Sequence, residues 1–183
     1  MPIEVASSDD HFSEPSDLGT AVLGESRRTF AGALAKIEHC LAQLSDDDLG
    51  WRPHSTHNSI QNIVLHLCGN VRQWILHGIG GAADVRERPL EFSDQAPRPK
   101  AELVSQLRAT VAAADAVLAA FPAERLLERC RIQGFETTRL AAVFETTSHF
   151  VGHTHQIVYI TRMRLGDRYE FQFVPRGKEQ GGQ

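Results

Sequence analysis

The sequence has few cysteines, no long apolar run and no excess of basic charge. Its 183 residues include three cysteines, Cys40, Cys68 and Cys130, with no CxxC spacing between them. Any disulfide scheme would leave one of them unpaired, so we interpret them as buried free thiols in a reducing compartment. The apolar runs are a few residues long, far short of the ~20 residues that a membrane helix needs. We therefore expect neither a disulfide framework nor a membrane span.

The net charge and the absence of several short motifs argue against certain classes of function. The 19 Lys and Arg residues are outnumbered by 23 Asp and Glu, which gives a formal net charge of −4 and argues against nucleic-acid binding. No GxSxG elbow, GxGxxG loop or P-loop lysine pattern occurs, which counts against the enzymes that use these motifs. The N-terminal stretch has neither the basic nor the apolar region of a secretory signal, so we expect a cytoplasmic protein.

Apolar residues recur at helical spacing in four long segments, and this pattern predicts the fold. The predicted helices cover about 17–44, 59–78, 100–120 and 138–165. There is no strand pattern of any length, although 131–135 is compatible with a brief extended segment. Four such helices predict an all-α four-helix bundle over 15–172, between a flexible N-terminal arm (1–14) and a flexible C-terminal tail (173–183). The loop of about 20 residues after the second helix is long enough to cover part of the bundle.

Histidine is abundant, with nine residues in the chain. His149 and His153 are four residues apart on the fourth predicted helix, so their rings share one face, one turn apart. Two imidazoles at this spacing can chelate a metal ion, although chance gives roughly 0.4 such pairs in a chain this rich in histidine. His66, on a polar face of the second predicted helix, is a candidate third ligand from a separate helix.

Periodicity alone leaves two interpretations of these three histidines. They lie away from the apolar stripes of their helices, as solvated or half-buried side chains do. Alternatively, the two polar faces meet at one end of the bundle and line a cleft, where three neutral imidazoles leave positions open for water or substrate. The polar residues that share these faces, and that would line or orient such a site, are Asn70, Gln73, Glu145 and Gln156.

The roles of several neighbouring residues stay open. Glu145 is compatible with a general base, a fourth ligand or a solvated carboxylate, and the solvated carboxylate is slightly favoured. His155 projects about 160° away from His153 on the same helix, so it is not expected to join that site. His54 and His57 lie in the loop before the second predicted helix, where loop polarity explains them adequately.

The segments around these histidines resemble the DinB-like superfamily, the DinB/YfiT-like group of metalloenzymes. The resemblance is carried by 58–75 (NSIQNIVLHLCGNVRQWI) and 149–157 (HFVGHTHQI) and extends over roughly 17–172. It includes the WRP turn at 51–53 and the RPLEF loop at 88–92. The chain looks closest to a bacterial subfamily of that group whose reaction is not assigned.

This resemblance implies a four-helix bundle, often dimeric, that holds a divalent metal with one histidine of its second helix and an HxxxH pair of its last. At matching positions stand His66, His149 and His153. Gln156 occupies the place of a family glutamine after the last ligand, whereas His155 stands where a small residue, often glycine, is expected.

Members of the superfamily with assigned activity are mainly thiol-dependent transferases or isomerases, with some hydrolase-like activities. The resemblance therefore implies an enzyme in which Zn, Ni or Fe activates a low-molecular-weight thiol cofactor or water, for transfer or hydrolysis on a small-molecule substrate. The alternative is a non-catalytic, dimeric helical bundle in which the metal is structural or absent.

Overall fold

The computed structural model describes residues 17–93 and 96–172, and within those ranges the regular structure is helical apart from one hairpin. The helices are α1 (Leu18–Ala42), α2 (Asp46–Gly50), α3 (Ile60–Val71), α4 (Arg88–Ser93), α5 (Lys100–Ala120) and α6 (Arg139–Leu165). Strands β1 (Arg129–Ile132) and β2 (Phe135–Thr138) pair antiparallel. Helices α1, α3, α5 and α6 form the predicted all-α four-helix bundle, which is confirmed. The predicted arm and tail lie outside the described residues.

Side-chain caps set the starts of the long helices at or near the predicted positions. The side chain of Asp17 caps α1, and Thr138 caps α6. Ser59 and Asn62 form a capping box at the start of α3. Helix α6 ends at Leu165, and its C-cap Gly166 has a φ of 57°, which favours glycine. These caps are local signals, which is why the predicted helix starts lie at or near the observed ones.

The structure differs from the sequence-based prediction in three connecting regions. The first helix ends at Ala42, and 46–50 forms a separate turn of helix because Ser45 and Asp48 make their own capping box. The loop after the second helix contains the short helix α4. Two strands occur where at most a brief extended segment was expected, because Gln133 and Gly134, with φ of 53° and 84°, make a tight hairpin turn.

Helix α5 is the helix within the described residues that is long and apolar enough to cross a membrane by length and composition. In the bundle its Leu103, Leu107 and Leu118 are buried, and it packs against α1 and α3. The edge-to-face contact of Phe30 and Phe150, with ring centroids 5.2 Å apart, joins α1 to α6 in the same core. These leucines of α5 therefore belong to the core of the bundle.

Candidate metal centre

His66 on α3 and His149 and His153 on α6 meet across the bundle. One nitrogen of each ring lies within 4.8 Å of a nitrogen of both others, and the ring centroids are 4.4 to 5.0 Å apart. The two Nε2 atoms of His66 and His149 are separated by 2.9 Å. Because a metal–nitrogen bond is about 2.0–2.1 Å long, neighbouring ligand nitrogens around one ion lie about 3 Å apart. The three-His group therefore fits a metal site.

The polar faces of α3 and α6 thus meet, as the second interpretation of the sequence expected. His66 is 6% exposed, and His149 and His153 are half-buried. The surface position that periodicity alone indicates is wrong for His66. A helical wheel describes one helix, whereas α4 and the chain before it pack on α3 and cover its polar face.

Glu91 on α4 fixes the orientation of His66. The Nδ1 of His66 donates to Glu91 Oε2 over 2.8 Å, and both side chains are more than nine-tenths buried. Burial raises the pKa of Glu91, but hydrogen bonds from Arg86 and His66 outweigh it, and the net pKa lies below the usual value. With the carboxylate ionised, the proton stays on His66 Nδ1 and the lone pair of Nε2 faces the other two histidines.

Arg86 holds Glu91 in place from the other side. Its Nε and Nη2 donate to the two carboxylate oxygens over 2.7 and 2.9 Å, and its side chain is 4% exposed. A Cβ atom at Gly69, on α3, would overlap the same carboxylate. The absence of a side chain at Gly69 is therefore what lets Glu91 reach His66.

Gln73 contacts Arg86 rather than the histidines. Its Oε1 accepts from Arg86 and its Nε2 donates to Asp84, each over 2.9 Å. It lies in a π-helical segment, Arg72–His77, that continues α3. The wider turn changes the direction of side chains from that of an α-helix, and such segments are frequent at functional sites. Gln73 therefore reaches the three-His group only indirectly, through Arg86 and its carboxylate partner Glu91.

Gln156 contacts one of the three histidines, His153, directly. His153 Nδ1 and Gln156 Oε1 are 2.8 Å apart, which directs the Nε2 of His153 away from Gln156. His155 on the same helix is exposed and is not part of the three-His group. His54 and His57 contact each other in the loop before α3 and are also outside it.

A cleft of about 420 Å³ lies beside the three-His group. His66 and His149 are in its wall, together with Asn70, Trp74, Arg86, Arg88, Gln133, Glu145 and Thr146. Glu145 is exposed in this cleft and is not among the ligand atoms of the three-His group. Asn70 is one helical turn from His66, and its buried Oδ1 has no hydrogen-bond partner. Asn70 and Glu145 therefore line the cleft beside the three-His group.

Burial keeps His149 and His153 in their neutral form at neutral pH. Desolvation, followed by the nearby His153 and His66, lowers the pKa of His149 to about 4. Desolvation also lowers the pKa of His153, although its hydrogen bond to Gln156 acts in the opposite direction. Neutral imidazole is the form that binds a metal ion, so the site is prepared to bind one at neutral pH.

The depressed pKa of His149 predicts how the stability of the metal-free protein depends on pH. The folded state resists protonation that the unfolded state accepts near pH 6.5, so the free energy of unfolding should fall as the pH decreases from 6.5 toward about 4. In a His149→Gln variant this fall should be smaller than in the wild type. Urea unfolding at several pH values measures it, with His155→Gln as the matched exposed control. Equal pH dependence in all three proteins would contradict the prediction.

The sequence alone assigns no role to Arg86, Arg88 or Glu91. These residues lie on α4 or directly before it, in the part of the chain that covers the polar face of α3. Their region has no helical or strand periodicity of sufficient length, and no ligand spacing marks it. Two signals were present, the unusual length of the loop and its RPLEF segment within the DinB-like resemblance. Neither assigns a role to an individual side chain.

Comparison with known families and structures then identifies the group to which this bundle belongs. The family described as "Protein of unknown function (DUF1572)" matches residues 17–178. The chain belongs to the DUF1572 family. No curated protein gives a significant match to this DUF1572 member.

Two solved structures share the fold of the DUF1572 chain. A conserved protein from Enterococcus faecalis superposes with a TM-score of 0.66 at 20% identity, over 79% of this chain and 98% of its own. A DinB-like protein from Bacillus cereus superposes with a TM-score of 0.61 at 15% identity, over 77% of this chain and 91% of its own. The likeness at these identities concerns the fold alone. The DinB-like fold predicted from the sequence is confirmed.

Proposed function

We propose that this chain is a divalent-metal-dependent enzyme that acts on a small-molecule substrate. The observation that supports the proposal most strongly is the convergence of three imidazole nitrogens within 4.8 Å of one another. A cleft of about 420 Å³ beside them offers space for a small ligand. Three neutral nitrogen ligands leave coordination positions free, which is the pattern of catalytic rather than structural sites.

His66, His149 and His153 would hold the ion, and three imidazoles suit Zn²⁺, Ni²⁺ and Fe²⁺. A divalent ion in this position would lower the pKa of a coordinated water or low-molecular-weight thiol and so supply an anionic nucleophile near neutral pH. The DinB-like resemblance supports a thiol as the nucleophile and group transfer as the reaction. If water is the nucleophile instead, the reaction is hydrolysis.

The chain's own residues have separate tasks in this proposal. Glu91 and Gln156 contact the Nδ1 atoms of His66 and His153, respectively. These contacts keep the Nε2 atoms of both rings directed toward the proposed metal position. Glu145 stands in the cleft wall as a carboxylate able to accept a proton from the substrate. Asn70 offers its unpaired Oδ1 to a polar group of the substrate.

Cobalt(II) substitution tests whether the proposed site is open. We expect the metal-free protein to bind about one Co²⁺ and to change its visible spectrum when mercaptoethanol is added, because an open site accepts a further ligand. The His155→Ala variant, which changes an exposed histidine of α6, should behave like the wild type. A bound ion whose spectrum ignores mercaptoethanol would favour the non-catalytic bundle with a structural metal. No binding would favour the bundle without a metal.

We further propose that the enzyme is a cytoplasmic homodimer. The free thiols of Cys40, Cys68 and Cys130 support a reducing compartment. Phe144 and Tyr159 are 68% and 66% exposed on α6, and such apolar exposure supports contact with a second copy.

A further inference from the structure

Arg88 brings an unshared positive charge to the cleft beside the three-His group. It lines the cleft together with His66 and His149. Its guanidinium carbon lies 5.1 Å from the ring centroid of Phe92, one turn later on α4, and that ring lies 5.1 Å from the ring of His66. The stack keeps the guanidinium close to the histidines while leaving its side chain exposed.

Arg86 and Arg88 differ in their burial and in their hydrogen bonds. Arg86 is buried and its donors are taken by Glu91 and Gln73. Arg88 makes no hydrogen bond or ion pair within the part of the chain that the structure describes, and its recorded contact is the stack on Phe92. A guanidinium carries five N–H donors in a planar fork, so Arg88 presents them to whatever enters the cleft.

Asn70 adds a second unsatisfied group on the α3 side. Its Oδ1 is buried and lacks a hydrogen-bond partner, although most buried polar atoms have one. Because the two ends of a carboxamide exchange by a flip, Asn70 can either accept from or donate to a ligand. The cleft therefore holds one cationic and one neutral group whose hydrogen bonds are left for a ligand.

We propose that the substrate carries a carboxylate, that Arg88 binds this carboxylate, and that Asn70 binds a neighbouring polar atom. The planar guanidinium matches a carboxylate with two parallel hydrogen bonds, which a point charge does not do. Glu145 lines the α6 side of the cleft and repels a second negative charge there, so the anionic end belongs on the α4 side. This inference rests on the proposed function, because it concerns a ligand of the metal-loaded cleft.

Two thiols that differ only in their far end test the inference on the Co²⁺-loaded protein. Mercaptopropionate carries a carboxylate, whereas mercaptopropanol carries a hydroxyl, and both give a thiolate absorption band that reports binding. We expect mercaptopropionate to bind about tenfold more tightly, which corresponds to one charge-assisted contact. In Arg88→Gln the ratio of the two affinities should fall to about one, and Arg88→Lys should restore part of it.

Arg162→Gln is the matched control, since Arg162 also stacks on aromatic rings but does not line the cleft. This variant should keep the wild-type ratio of the two thiol affinities. That result would show that the preference comes from a contact with Arg88 and not from the net charge of the protein. Equal affinities in the wild type, or a preference that survives in Arg88→Gln, would overturn the carboxylate assignment alone. Failure to bind Co²⁺ would overturn the proposed function and this inference with it.

Discussion

Glu91→Ala is expected to destabilise the protein by about 3–5 kcal/mol, because it leaves the buried guanidinium of Arg86 without its partner. The side chains of Glu91 and Arg86 are 9% and 4% exposed, so water does not replace the lost contact. The same variant frees the Nδ1 proton of His66, and we expect its affinity for metal to fall roughly 10–100-fold. Urea unfolding of the metal-free protein and titration with Co²⁺ measure the two effects separately.

Gly69→Ala disturbs the same carboxylate without removing a charge. An added methyl group at Gly69 would overlap Glu91, so this variant should be less stable and bind metal more weakly than the wild type. Gly32→Ala is the matched control, since Gly32 is an exposed residue of helix α1 with open space around its Cβ position. There the substitution should stabilise the protein by about 0.5–1 kcal/mol.

The Glu91 prediction would be contradicted if Glu91→Ala kept the wild-type metal affinity while losing stability. Glu91 would then act only as the counter-ion of Arg86. Equal stabilisation in Gly69→Ala and Gly32→Ala would show that Glu91 does not depend on the space above Gly69. In both cases the orientation of His66 would have to come from elsewhere.

The double variant His149→Ala/His153→Ala is expected to lose its metal completely while remaining folded. Two of the three imidazoles are removed, and His66 alone does not retain a divalent ion in competition with water. Both side chains are half-buried at the cleft rather than in the apolar core, so their loss should change the stability of the metal-free protein by about 1 kcal/mol or less. The hydrophobic core, built around residues such as Phe150 and Leu107, is untouched.

Short-range features of the fold were predictable because they depend on neighbours in sequence. The four apolar stripes and the caps at Asp17, Ser59 and Thr138 are local patterns, and the structure places the long helices accordingly. The α6 pair is of the same kind, since a spacing of four brings His149 and His153 together in any α-helix. His66 was a candidate third ligand from its place on a polar helix face, and the DinB-like resemblance indicates the same residue.

Long-range contacts limited the prediction of the site. Glu91 is 25 residues from His66 in sequence, and no periodic pattern connects a loop carboxylate to a helical histidine. Gln73 contacts Arg86 from a segment that leaves α-helical geometry after Val71, a change that a regular helical wheel does not contain. The hairpin strands have four residues each, too few for a strand pattern to stand out.

The content of bound metal per chain tests the central claim most directly. It is measured by elemental analysis of untagged protein, with the wild type beside His149→Ala/His153→Ala and the exposed-site control His155→Ala. The account predicts about one divalent ion per chain in the wild type and the control, and none in the double variant. A wild type that carries no metal and takes none up on titration, or a double variant that keeps its full complement, would contradict it.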